Sequence, residues 1–272
     1  MENNFITTNH MGGICNVMFK LSASISLALD NDVDYIFSNE FLRPISNECP
    51  KPGFDPDYSV YNDNLLRNIK FIEKLPTPYR THKEPKTFNY QHIVYNKGEN
   101  LLLEGYFQSE KYFINNKKYI IDLFKPTDEI KKTILEKIPN VRDSVSIHIR
   151  RGDYLNSPDF HPQQSLEYYQ SAVNLIGFEK NYLIFSDDLE GVKSMFEFLP
   201  NKQFISLGKD YLELYAMSMC EHNIICNSTF GWWGAYLNEN KDKKIIGPNN
   251  WFGPASAFLN SSDILPDNWI KI

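Results

Sequence analysis

Two rhythms of apolar residues alternate along the chain. Short apolar runs closed by glycine or polar residues have the pattern of buried strands. Longer stretches with apolar residues three and four apart have the pattern of helices packed on one face. Phe5 to Thr8 reads as a first strand, which runs through His10-Met11-Gly12-Gly13-Ile14-Cys15-Asn16 into a helical stretch. There Met18, Leu21, Ile25 and Leu29 share a face, and Asn16 is placed to cap the helix. Strand Tyr35-Ile36-Phe37 completes a β–Gly loop–α–β opening of the Rossmann kind. From Ser38 to about Pro85, repeated prolines interrupt any long element, which predicts irregular connections, short helices and a surface suited to an acceptor. Strands are expected near Phe88–Val94 and Leu101–Glu104, then a helix from about Glu110 to Phe124. A further helix is expected to begin at Pro126, with Ile130, Ile134, Leu135 and Ile138 inward.

The second half alternates more cleanly. A central strand over 145–149 is followed by a helix of roughly Gln164–Leu175, strand Tyr182–Phe185 and helix Leu189–Phe198. Strand Phe204–Ser206, helix Leu212–Met219 and strand Asn223–Cys226 come next. Strands and helices alternating at these lengths predict a parallel sheet. Three of these strands end in polar clusters: Arg150-Arg151-Gly152-Asp153-Tyr154, Ser186-Asp187-Asp188 and Asn227-Ser228-Thr229. Ligands of open α/β sheets sit beyond the carboxyl ends of strands, so this coincidence marks a candidate site.

The residue types suggest its chemistry. The planar fork of arginine matches phosphate oxygens, so Arg150 and Arg151 are suited to grip a diphosphate; the plainer reading is a surface Arg–Asp pair of little energetic weight. Ser228 or Thr229 can cap the following helix and offer a hydroxyl and free N–H groups to a phosphate. Trp232 and Trp233 read as core anchors. Asp187-Asp188 could hold a metal, but one adjacent pair without further ligands fits hydrogen bonding to ribose or base equally well. The Gly12-Gly13 pair allows close backbone approach at a helix start, or simply a tight turn.

Composition narrows the classes. A net charge of −6 argues against nucleic acid as the main partner. No run approaches the roughly 18 apolar residues of a membrane span, and the start of the chain has no signal-peptide pattern. Cys15, Cys49, Cys220 and Cys226 lack the spacing of a zinc site or disulfide framework, so reduced cysteines in a cytoplasmic setting are expected. The sequons at Asn227 and Asn260 are then chance matches.

His148-x-Arg150-Arg151-Gly152-Asp153-Tyr154 resembles the HxRRxD signature of fucosyltransferases. The segments around Gly12-Gly13 with Asn16 and Phe19, Leu103–Ser109, Phe185–Asp188, Asn227–Gly234, Ile246-Gly247-Pro248 and Pro266–Trp269 resemble, in order, those of family 11 glycosyltransferases. Those are α1,2-fucosyltransferases that use GDP-fucose. The resemblance implies a GT-B fold, two Rossmann-like α/β domains facing across a cleft: an acceptor-side domain over 1–135 and a donor domain over 136–272. It implies an inverting, metal-independent transfer of fucose from GDP-fucose to an acceptor-glycan hydroxyl, such as galactose O2, with no cofactor. Arg150 would hold the β-phosphate, His148 and Asp187 or Asp188 would contact guanosine, and Ser228 and Thr229 would lie near the α-phosphate. Gly13 and Asn16 would also line the nucleotide-sugar site. Asp153 is a candidate base, with Asp159 and His161 as alternates; it could instead orient the arginines. Another donor such as GDP-rhamnose, or a non-catalytic glycan- or nucleotide-binding protein, are the competing readings. The family pattern GGLGNQLFQ departs here to Cys15, Val17 and Lys20, and a side chain at residue 15 is expected to crowd a ligand at that turn.

Overall fold

A computed structural model describes residues 4–9, 12–39, 58–77, 79–85 and 87–272. The chain forms two compact units, Met1–Phe124 with Leu259–Pro266, and Lys125–Phe258 with Asp267–Ile272. The sequence boundary at 135/136 falls inside a helix, whereas the structural division comes at 124/125. That helix, Asp128–Lys137, belongs wholly to the second unit because Ile134 is buried there.

The first unit contains β1 (Phe5–Thr8), α1 (Ile14–Asp30), β2 (Asp34–Tyr35), β3 (Phe37–Ser38), β4 (Phe71–Ile72), β5 (Arg80–Lys83), β6 (Leu101–Glu104) and α2 (Lys117–Phe124). Strands β2-β1-β6-β5 make a parallel sheet, and β3 pairs separately with β4. Helix α1 begins earlier than expected. Gly13 is its N-cap, and its carbonyl takes the N–H groups of Asn16 (2.9 Å) and Val17 (3.2 Å), so Asn16 lies in the first turn rather than capping it. The expected strand over 88–94 is irregular, because Phe88 adopts a left-handed φ of 56°. The sheet edge is instead β5, whose polar Arg-Thr-His-Lys sequence carries no apolar alternation. The expected helix over 110–124 is two 3₁₀ turns, Glu110–Tyr112 and Ile114–Asn116, followed by α2; Phe113, non-helical at φ −142° and ψ 15°, interrupts the helical run. Much of the proline-rich stretch, including Cys49, lies outside the described residues.

The second unit contains α3 (Asp128–Lys137), β7 (Ser144–Ile149), α4 (Leu166–Ile176), β8 (Asn181–Ser186), α5 (Leu189–Val192), β9 (Lys202–Ile205), α6 (Asp210–Ser218), β10 (His222–Ile224), α7 (Thr229–Tyr236), β11 (Ile245–Gly247) and β12 (Ile270–Lys271). Its six strands are parallel, in the order β12-β11-β10-β7-β8-β9. Counted from β7, that is the 3-2-1-4-5-6 order of dinucleotide-binding sheets, with the reversal between β7 and β10. Caps follow local chemistry: Thr127 accepts the Ile130 N–H, Ser165 that of Tyr168, and Ser228 that of Phe230.

Strand β7 is buried along its whole length and has two different faces. Val145, Ile147 and Ile149 join Tyr169, Val173, Ile184 and Phe196 in the apolar core. On the other face, Ser146 accepts an N–H from Asn223 (2.7 Å), and Asn223 in turn accepts one from Asn238 (2.8 Å). Trp232 and Trp233 of α7 are fully buried; Trp232 stacks on Tyr236, with ring centroids 4.5 Å apart.

Candidate active site

The site assembles at the carboxyl ends of β7, β8 and β10, the three central strands. His148 is the penultimate residue of β7. Its ring is buried against Phe230, with centroids 5.4 Å apart, and its Nδ1 lies 3.4 Å from Cys226 Sγ. Burial and the neighbouring Arg150 charge lower its pKa to about 3, so the imidazole is neutral at pH 7. Gly231 makes this packing possible, since a Cβ there would stand 2.7 Å from His148 Nδ1.

Arg150 follows the strand and is held from two sides. Nε and Nη2 each lie 3.0 Å from Asp153 Oδ1, and Nη1 lies 3.0 Å from Asp187 Oδ2. Burial opposes its charge, but Asp187 and Asp153 more than offset that and raise its pKa above the ordinary value. A guanidinium has five N–H groups, so these contacts leave Nη hydrogens for a ligand. Asp187 also accepts the Arg151 backbone N–H (2.8 Å). Arg151 reaches Asp188 Oδ2 (2.9 Å) and Gln163 Oε1 (3.2 Å), and Asp188 Oδ1 accepts the Gly191 N–H (2.9 Å). Asp187 and Asp188 therefore fix the arginine loop. Gly152 admits this arrangement: a Cβ there would lie 2.4 Å from Asp187 Oδ2.

On the other side of β7, Ser228 caps α7 and Thr229 is its first residue, so free N–H groups stand at the point where the strand order reverses. Tyr154 ties the two halves together by donating to the Asn227 carbonyl (2.8 Å) while stacking on His161 at 4.7 Å. Asn227 is itself a hub: Gln164 donates to its Oδ1 (3.0 Å) and its amide donates to the Trp251 carbonyl (3.1 Å). This burial excludes a glycan at that sequon. Sequence reading did not assign roles to Tyr154, Gln163, Gln164 or the Asn227 side chain; a Gln-Gln pair just before a helix cap gave only a faint signal.

Two guanidinium charges against the carboxylates of Asp153, Asp187 and Asp188 leave this cluster a formal net charge of minus one. An anion would thus be held by directed N–H groups rather than by excess positive charge. Among the described residues, no group of three or more His, Cys, Asp or Glu is arranged to hold a metal ion. His148, Arg150, Asp153, Asp187, Asp188, Ser228 and Thr229 all belong to the second unit. Gly13 and Asn16 belong to the first, where Asn16 Oδ1 accepts an N–H from Gln108 (2.9 Å). Cys15, in the first turn of α1, is 3% exposed.

A Rossmann-ordered sheet with arginines and a helix N-terminus at its reversal point defines a doubly wound α/β protein. More particularly, the chain belongs to glycosyl transferase family 11, whose model matches residues 2–272. It is 32% identical over 189 residues to the O-antigen biosynthesis glycosyltransferase WbnK of Escherichia coli, covering 62% of this chain and 60% of that protein. It is 32% identical over 180 residues to an alpha-1,2-colitosyltransferase of Escherichia coli, covering 62% and 61%. Identity to a galactoside 2-alpha-L-fucosyltransferase of Caenorhabditis elegans is 31% over 189 residues, covering 63% and 53%. The matches thus span about 60% of the length of the first two relatives. No described helix is long and apolar enough to cross a membrane.

Proposed function

We propose that this protein is an inverting glycosyltransferase that moves a 6-deoxyhexose, foremost fucose, from GDP to a hydroxyl of an acceptor glycan such as galactose O2. The observation that carries the reading is Arg150, clamped between Asp153 and Asp187 at the reversal point of the sheet, with free N–H groups beside the Ser228-capped helix. As the glycosidic bond breaks, charge grows on the β-phosphate of the leaving GDP. A guanidinium already fixed in place stabilises that charge without reorganising. The donor therefore belongs to the second unit, Arg150 and α7 take the diphosphate, and no metal ion is needed. Asp153, spent on Arg150 Nε and Nη2, acts as a positioning residue rather than the base. His148, buried and neutral, supports the loop from beneath the nucleoside end.

A colitose donor is the second reading, favoured by the 32% identity to a colitosyltransferase. Incubating the purified protein with GDP-fucose or GDP-colitose and galactose-terminated oligosaccharides tests both. Transfer from one donor, persisting in EDTA, is expected; GDP binding without transfer from any GDP-deoxysugar would overturn the transferase reading.

A further inference from the structure

The first unit has a parallel sheet of its own, in which β5 is laid at the far edge and β6 then comes in beside β1. Open α/β sheets take ligands beyond the carboxyl ends of their strands. The loop after β6 crosses the face of α1 there, through the bond from Gln108 to Asn16. One turn further along that face is Lys20. Side chains of a helix lean toward its N-terminus, which carries the Lys20 ammonium toward the strand ends.

Lys20 is fully buried, yet its Nζ has no hydrogen-bond partner among the described residues. It lies 5.2 Å from the centroid of the Tyr106 ring, a cation–π contact that satisfies none of its N–H groups. Asn9, the residue after β1, likewise has a buried Oδ1 without a partner. A buried polar atom left without a partner is costly, since its lost hydration is not replaced. One donor and one acceptor stranded at the same end of a sheet point to a ligand that supplies both.

Charge selects the ligand. Burial lowers the Lys20 pKa to about 8 while Glu84 and Glu104 act against it, so the group is mainly protonated at pH 7. Two carboxylates near one ammonium disfavour a further anion. Glu84 is committed elsewhere: it accepts the N–H groups of Tyr106 (2.6 Å) and Phe107 (3.0 Å), which pins the backbone of this loop. Phe88 stacks on Tyr106, with centroids 5.6 Å apart and planes 20° from parallel, giving an apolar wall beside the polar atoms. Tyr106 is 38% exposed while the ammonium under its ring is fully buried, so the ring is the exposed group next to Lys20.

We infer that the carboxyl ends of β1 and β6 in the first unit form a subsite for a neutral pyranose of the acceptor. Lys20 donates to a sugar hydroxyl, Asn9 Oδ1 accepts from one, and the Tyr106–Phe88 pair packs on the apolar sugar face. This rests on the glycosyl-transfer reading and narrows its acceptor: a uronic acid at this position is excluded.

Protein labelled with ¹³C-lysine would be titrated with methyl β-D-galactopyranoside and, separately, with D-galacturonic acid, following the Lys20 Cε resonance without any donor. The neutral glycoside should move that resonance, and the acid at equal concentration should not. Lys20→Met and Tyr106→Ala should each weaken glycoside binding by roughly tenfold or more, with GDP affinity unchanged. A Lys20 resonance indifferent to the glycoside, a stronger response to galacturonate, or parental glycoside binding in folded variants would overturn the subsite. Should Lys20→Met fail to fold, the titration of the parent protein and Tyr106→Ala still decide. Glycoside binding as expected in a protein that does not bind GDP would leave this subsite standing and remove the transferase reading instead.

Discussion

Gly152→Ala probes the clamp on Arg150 without replacing any charged residue. The new Cβ would stand 2.4 Å from Asp187 Oδ2 and 3.2 Å from its Cγ. The closer contact is about 1 Å inside van der Waals separation. If the carboxylate recedes by that amount, its contacts to the Arg151 N–H, now 2.8 Å, and to Arg150 Nη1, now 3.0 Å, stretch beyond hydrogen-bonding range. The backbone bond to a charged acceptor contributes about 1.5–3 kcal/mol, and the partly buried ion pair about 1 kcal/mol. Allowing for relaxation of the loop, the loss is about 2–3 kcal/mol, or a fall of roughly 5–10 °C in the melting temperature. Calorimetric melting with and without GDP measures both consequences, since a loosened Arg150 also weakens nucleotide binding. A double-mutant cycle sharpens the test: in an Asp187→Ala background, Gly152→Ala should cost almost nothing further. Parental melting and parental GDP affinity in Gly152→Ala would refute the clamp.

Further outcomes follow from the same geometry. Arg150→Ala should lower turnover by about 10²–10³-fold, and Arg150→Lys should recover little because the fork is lost; near-normal steady-state rates in folded protein would remove Arg150 from the chemistry. Asp153→Asn should bind GDP at least as tightly as the parent, because a negative charge beside the phosphates is gone, yet turn over more slowly because the fork is no longer oriented; weakened GDP binding in a titration would contradict this. Cys15→Gly should destabilise the first unit by about 2 kcal/mol through lost burial and helix propensity, seen in thermal melts, while leaving GDP affinity unchanged. His148 carries a pKa of about 3 against an ordinary 6.5, so folding favours its neutral form. Its contribution to stability is complete above pH 6.5 and is lost as pH falls from there toward 3; melts between pH 7 and 5 should fall more steeply for the parent than for His148→Gln.

How much of this was legible in the sequence depended on whether a signal was local. The alternation of β7, the Ser165 and Ser228 caps and the apolar closing of β8 are properties of a few adjacent residues, and the second unit follows from them almost element by element. The polar strand ends could also be read, because three charged or hydroxyl clusters after apolar runs are conspicuous. The first unit was less readable. Strand β5 is written in Arg, Thr, His and Lys and is recognised only through its pairing with β6. Phe88 looks like a strand residue until its left-handed backbone is seen. The commitments of Asp153, Asp187 and Asp188 to particular arginine atoms, and the tie from Tyr154 to Asn227, are long-range contacts that no local pattern encodes.

The measurement that bears most directly on the central claim is a calorimetric titration of GDP into the parent protein and into folded Arg150→Ala, both without added metal ion. The parent is expected to bind GDP in EDTA, and Arg150→Ala to bind it roughly 10- to 100-fold more weakly through the loss of charge-assisted bonds to phosphate. Equal affinity in the two proteins, or binding that appears only when Mg²⁺ or Mn²⁺ is supplied, would contradict it.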